Sequence, residues 1–261
     1  MPGYKIVALP TDVIYVYDGS LPGFLCCVHE SFYGKELPIN IVNISNHEPS
    51  LYEQKVVMTD EIKARAVRES IGKISPRVLE ITDHVFLCHH ANKELKLLKF
   101  LITAFRIGAN APLMLGEAEV ADVLAMERHM MGERHLLLGF IRFKDYGDIL
   151  SAVISPKNFV LPLLAEHFIG RYPNENFMIY DKTYKAALIY QDKKLEMTAV
   201  EEIDFKEEPE EEVYYQDLWK KFYKTIGIEE RLNPRCRMSH MPKRYWANMT
   251  EMQEATVHNL S

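Results

Sequence analysis

The sequence predicts an α+β fold: a mostly antiparallel central sheet flanked by helices, with a basic C-terminal helix and tail docked against it. Three observations carry that prediction. Between Glu133 and Gln191 the longest apolar runs switch from strand-like to helical spacing and back. Upstream, four helix-like segments with start and stop signals follow one another. After residue 191 the composition turns abruptly acidic and then basic.

Taken in order, residues 4–17 read as two short strands joined at Pro10-Thr11-Asp12. Asp18-Gly19-Ser20 makes a turn, with Ser20 as N-cap and Pro22 near the first position of a helix whose apolar face is Phe24, Leu25, Val28 and Phe32. A strand is expected over 39–44 and a polar loop over 43–52. Four helices follow: from Thr59 to about Gly72, from Ser75-Pro76 through Phe86, through Leu95–Phe105 to a stop at Gly108, and over Glu117–Met131. Leu136–Phe143 and Ile149–Ile154 read as strands around a turn at Asp145-Tyr146-Gly147-Asp148. Asn158 is placed to cap a helix carrying Leu161, Leu164, Ala165 and Phe168, and Phe177–Tyr180 and Ala186–Tyr190 form a second strand pair. The expected organisation is a βα segment over 1–80, a core of helices, sheet and basic tail packed as one globule over 81–250, and a frayed tail over 251–261.

With 261 residues, 48% of them hydrophobic, the chain can bury a substantial core. A net charge of −6 argues against non-specific coating of DNA. No apolar run reaches membrane-spanning length and the N-terminus lacks a signal-peptide pattern, so a soluble, cytoplasmic protein is expected. Cys26, Cys27, Cys88 and Cys236 have no framework spacing and read as reduced thiols. Without a CxxxCxxC run the chain is not expected to ligate an iron–sulfur cluster, and no cofactor is expected.

The basic aromatic tail carries the clearest chemical signal. Arg231, Arg235, Arg237, Lys243 and Arg244 crowd one stretch, followed by Tyr245 and Trp246. Cations neutralise phosphates and aromatic rings stack on unpaired bases. In the competing arrangement Arg231 and Arg235 bridge back to the acidic run 201–212, a solvated linker or acidic face, while Trp246 anchors the tail onto the core. The stretch YYQDLWKKFYKTIGI, residues 214–228, is expected to turn Leu218, Phe222 and Ile226 to one face, with Trp219 beside them, and Lys220, Lys221 and Lys224 to solvent.

His167 and Arg171 stand four apart, and Asp181 ends the next strand. A shared helix face would set an anion-binding arginine beside a titratable imidazole oriented by a carboxylate, giving His167 as general acid or base with Asp181. The alternative is a buried Arg171–Asp181 pair with His167 hydrogen-bonded nearby. Arg142 either faces solvent on a strand or holds an anion in a groove. Asp18 and Ser20 offer an anion site at a helix start, or only a capped turn. His84, Cys88, His89, His90, His129 and His135 give no tetrahedral spacing, so no metal is expected. Dinucleotide, P-loop, hydrolase-elbow and deaminase signatures are absent.

The stretches YDGSLPGFLCCVHESF, GERHLLLGFIRF, SPKNFVLPLLAEHFIGRYPNENFMIYD and NPRCRMSHMPKRYW, in that order over nearly the whole chain, resemble an uncharacterised prokaryotic family labelled as DNA repair or DNA metabolism proteins, with a C-terminal domain of unknown function. The resemblance implies DNA as substrate and a radical-SAM protein as partner; in some relatives a similar domain is joined to a uracil-DNA-glycosylase-like domain. The family-like positions are Asp18, Gly19 and Ser20, then Glu133, His135, Arg142 and Phe143. His167, Phe168, Arg171 and Asp181 match a second block, and Pro242, Arg244, Tyr245 and Trp246 the terminal one. Phe177 stands where the family pattern has tryptophan, and Lys182-Thr183-Tyr184 where it has an arginine. Three functions are therefore expected in turn. The first is a protein presenting DNA to a radical-SAM partner, with Arg142, Arg171, Arg235, Lys243 and Arg244 on phosphates and Tyr245 and Trp246 stacking on a base. The second is a DNA-processing enzyme using His167 and Asp181. The third is a non-catalytic partner subunit.

Overall fold

The computed structural model describes residues 9–46, 49–205, 207–226 and 233–253. The expected strand over residues 4–8, Arg231 and the tail beyond 253 lie outside the described residues. The fold is mixed α+β, as the apolar patterning predicts, in two compact units, Met1–Met130 and Met131–Ser261.

In the first unit, strands β1 (Leu9–Pro10) and β2 (Val13–Tyr17) precede helix α1 (Leu21–Gly34) in the chain, and β3 (Glu36–Leu37), β4 (Asn40–Asn43) and β5 (Glu53–Val56) follow it. β2 lies between β4 and β5 and is parallel to both; β1 pairs with β3. Ser20 caps α1 by accepting from the Gly23 amide at 3.0 Å. Helices α2 (Glu61–Ile74), α3 (Pro76–Phe86) and α4 (Lys93–Ile107) follow at their expected places, although the N-cap of α2 is Asp60 rather than Thr59. Ser75 caps α3 and Gly108, at φ +89°, ends α4. Arg77 grips the buried Glu127 with both Nη atoms, at 2.8 and 2.5 Å, and His84 Nδ1 lies 2.9 Å from the same carboxylate.

Helix α5 (Ala118–Phe140) overturns one expectation, because it continues through the segment expected to be a strand from Leu136. Val120, Val123, Met126, Met130, Glu133 and Leu137 are all buried at intervals of three or four, one unbroken helical stripe. Read alone, the run Leu136-Leu137-Leu138 fits either element, since a short apolar run does not separate helix from strand.

The second unit is built on a five-stranded sheet, order β10-β9-β8-β7-β6, from β6 (Lys144–Asp145), β7 (Leu150–Ile154), β8 (Phe177–Asp181), β9 (Ala186–Gln191) and β10 (Lys194–Ala199). Only β7 and β8 pair in parallel, through the crossover helix α6 (Leu161–Arg171). The turn expected at 145–148 forms, with Gly147 at φ +89° and its amide on Asp145 Oδ1. β10 is an addition: Asp192 and Lys193, both at positive φ, turn the chain into a hairpin. Asn158 does not cap α6, whose N-cap is Val160; its side chain is buried against Glu133 instead. The face of the sheet carrying Phe177 packs under α6 through Phe143 and Phe168. Helices α7 (Glu210–Ile226) and α8 (Pro234–His240) and two 3-10 turns, Lys243–Asn248 and Thr250–Met252, complete the unit.

An aromatic and arginine groove as the candidate functional site

The groove starts from the end of α6. Arg171, exposed in the last turn, lays its guanidinium over the ring of Tyr172 at 5.7 Å, with Nε 3.4 Å from the Tyr172 hydroxyl. Phe143 stands edge-on to Tyr172 and Phe168, both at 5.3 Å, and to Phe177 at 6.0 Å. This aromatic cluster fixes one wall. The opposite wall is α7, which contributes Tyr215 and Trp219, 57% and 40% exposed. Between them lies a groove of about 440 Å³ whose lining also includes Arg142 and Thr250.

Arg142 sits where this groove meets a second cleft of about 510 Å³ on the opposite sheet face, floored by Ser151, Val153 and Tyr180. Its own guanidinium is occupied: Nε and Nη2 donate to Glu251 at 3.2 and 2.6 Å, and Nη1 to the carbonyls of Gly139 and Ile141. Burial pushes the Glu251 carboxyl up, but the Arg142 hydrogen bonds outweigh it and hold the group below the ordinary range. Arg142 thus closes the end of α5 and pins the tail. The acidic run walls the second cleft, with Glu208 paired to Lys144 and Glu201 to Lys185. Most of its acids remain exposed, as expected of a solvated acidic face, and Glu208 and Glu201 also pair with lysines of the sheet and its turn.

The terminal motif divides. Tyr245, 2% exposed, and Arg244 turn inward: the tyrosine hydroxyl donates to Glu133 Oε1 at 2.9 Å, and Arg244 Nη2 lies 3.2 Å from the same oxygen. Glu133 also accepts from the amides of Lys157 and Asn158 at 2.9 and 2.8 Å. Burial raises the Glu133 carboxyl, and these donors more than reverse that, leaving it lowered. Arg237 and Lys243 lie over the Trp246 ring at 5.1 and 5.8 Å. The indole N–H donates to the Met241 carbonyl at 2.9 Å. Arg235 is exposed on α8. Lys243 and Trp246 thus keep an outward cation–aromatic cluster, to which the structure adds Arg237.

His167 and Asp181 are not brought together. His167 is half-buried, edge-on to the Phe168 ring at 5.0 Å, and no hydrogen bond joins it to Asp181. Arg171 is exposed while Asp181 is fully buried, so the expected Arg171–Asp181 pair does not form either. Asp181 Oδ1 accepts from the Thr183 and Tyr184 amides at 2.9 and 3.1 Å; Oδ2 is buried with no hydrogen-bond partner. Burial pushes this carboxyl up to about 6, against those two amides and with help from the charge of Glu133. The residue is a buried neutralisable acid closing the end of β8.

In the first unit the Asp18 carboxylate itself fills the start of α1. It accepts from the Ser20 amide and hydroxyl at 2.9 and 2.6 Å and from the Thr59 hydroxyl at 2.6 Å. The Ser20 and Thr59 hydroxyls hold it below its ordinary range. Gly19, at φ +83°, is required there: a Cβ would stand 2.0 Å from Asn43 Nδ2. Cys26, Cys27 and Cys88 are buried and Cys236 is exposed, and none of the four is in a disulfide. Among the described residues no helix is long and apolar enough to cross a membrane, and no three metal-ligating side chains are gathered.

Sequence reasoning missed Tyr172, Tyr215, Trp219 and Glu251 as site residues, and counted Arg237 only among the cations of the basic tail. Tyr172 directly follows Arg171, and the exposed aromatics of α7 were legible as residues but not as a wall. A family model described as Domain of unknown function (DUF4130) matches residues 91–251, well over half of the 261-residue chain. No curated protein and no solved structure matches the chain.

Proposed function

The chain belongs to the DUF4130 family, and on that premise we propose that it binds single-stranded or locally unpaired DNA along the Arg171 groove. It does so as a DNA repair or DNA metabolism protein acting with a radical-SAM partner, the function implied by the resemblance in its motifs. The observation that carries the reading is one exposed guanidinium, Arg171, set at the mouth of a groove whose walls offer Tyr172 on one side and Tyr215 and Trp219 on the other. A phosphate meets the cation while a base stacks on a ring, a pairing that tolerates any sequence because every base has a π face. Lys243 and Arg237 add cations over Trp246, and Arg235 is exposed on α8. Local charge of this kind serves a chain of net −6 without coating duplex DNA indiscriminately.

Arg142, Arg244 and Tyr245 act in this reading as supports, since each is engaged with a buried carboxylate. The test is a titration of the protein with short oligonucleotides, followed by tryptophan fluorescence. Stacking on Trp219 quenches the signal for single strands, and Trp219→Phe removes most of that quench while Trp246→Phe does not. Equal response to duplex and single strand, or quench that survives Trp219→Phe, sinks the groove as the site.

A further inference from the structure

Helix α7 mixes polar and apolar residues on its less exposed side, where Val213 and Tyr223 accompany Gln216 and Lys220. Gln216 donates to Glu208 and Glu212 at 2.7 and 2.8 Å, and Glu212 accepts from the Asp145 amide at 3.0 Å. The Lys220 side chain, expected in solvent, is 11% exposed. The apolar stripe faces outward instead, with Tyr214 61%, Leu218 41%, Phe222 52% and Ile226 57% exposed, and the helix buries no residue. These positions recur every fourth residue, so they form a ridge along one face. A surface helix ordinarily turns its apolar stripe to the core, and contiguous apolar surface facing solvent marks an interface.

We infer that this ridge is covered by a second copy of the same chain, the two α7 helices lying antiparallel about a twofold axis. The charge pattern selects that occupant. The first turn of α7 carries Glu210, Glu211 and Glu212, while Lys221 and Lys224 flank the ridge at its other end. Antiparallel copies set the acidic end of each against the basic end of the other, twice, and also oppose the helix dipoles. A parallel arrangement sets acid against acid. Tyr214 of one copy then packs near Phe222 of the other, around Leu218 at the axis. The ridge offers roughly 500 Å² per copy, about 1,000 Å² for the pair, at the lower edge of specific interfaces. The dimer is therefore weak, with a dissociation constant in the micromolar range and complementarity at its rim.

Sedimentation velocity of the full chain, from about 1 µM to about 200 µM, tests this. The expected result is a monomer that shifts to a dimer across the range. L218E/F222E, at exposed positions of the ridge, stays monomeric throughout with an unchanged urea midpoint. Reversing one end alone, E210K/E211K or K221E/K224E, weakens association at least tenfold, and the four changes together restore it. A monomer over the whole range, or a dimer untouched by L218E/F222E, overturns the proposal; so does a dimer indifferent to reversal of one end.

Discussion

Arg142 holds Glu251 by two parallel hydrogen bonds, Nε to Oε2 at 3.2 Å and Nη2 to Oε1 at 2.6 Å, across 109 positions of sequence. The glutamate side chain is 2% exposed, and its Oε2 also accepts from the Trp219 indole N–H at 3.2 Å. One carboxylate therefore ties the end of α5, the tail and the groove-lining tryptophan together. Removing the arginine strands a buried charge, which costs about 3 kcal/mol. Arg142→Ala is expected to lower the urea midpoint by that equivalent, with Arg142→Lys retaining part of the loss because it gives up the bidentate geometry. An unchanged midpoint means the guanidinium is free for ligand instead.

Asp181 predicts a pH dependence of definite sign. Its folded value stands near 6 against an ordinary 3.8, because burial opposes the charge. Between those values the folded state binds more protons than the unfolded one. The contribution is present in full below about pH 4 and lost as pH rises through about 6, amounting to about 3 kcal/mol at most. Asp181→Asn keeps an oxygen for the Thr183 and Tyr184 amides and does not titrate. Its stability relative to the parent is expected to rise by about 2–3 kcal/mol between pH 4 and pH 7.5, measured by urea unfolding at each pH. A constant difference contradicts the buried-acid assignment.

Glu133, Glu127 and Glu251 act with the opposite sign, since their donors hold them below the ordinary value of 4.5. Their stabilisation is present above that value and fades as pH falls through the folded one. Tyr245→Phe removes the hydroxyl donated to Glu133 and is expected to cost about 1.5–3 kcal/mol, the range for a hydrogen bond to a charged group. Lys243→Ala with Arg237→Ala leaves the urea midpoint unchanged and weakens oligonucleotide binding. If the double variant unfolds early and Tyr245→Phe does not, the inward and outward halves of the tail are wrongly divided.

These contrasts show what the sequence disclosed. Caps were readable because one side chain satisfies a neighbouring amide: Ser20 and Ser75 open their helices as expected. The strands expected at 149–154, 177–180 and 186–190 were readable as short apolar runs and form as β7, β8 and β9. The strand expected from Leu136 failed because three consecutive leucines satisfy either period, and the decisive signal was the longer stripe running from Val120 to Leu137. β10 was overlooked although Leu195, Met197 and Ala199 alternate with polar residues; its wholly exposed edge position gives no apolar run. The site was less legible than the fold. Which cation stays free depends on which carboxylate is buried beside it, and Glu251 and Glu133 lie far in sequence from Arg142 and Arg244. Nothing local marks Arg171 as exposed and Arg142 as engaged.

The most direct measurement of the DNA-binding account is affinity for a single-stranded oligonucleotide across a salt series, for the parent, Arg171→Ala and Trp219→Ala. Log affinity for the parent is expected to fall linearly with log salt. Arg171→Ala should reduce that slope by about one, as loss of a single phosphate contact does. Trp219→Ala should keep the slope and lose about 1–3 kcal/mol at every salt, as loss of a stacking platform does. A parent that does not bind at low salt, or an Arg171→Ala variant with parental slope and affinity, contradicts the account.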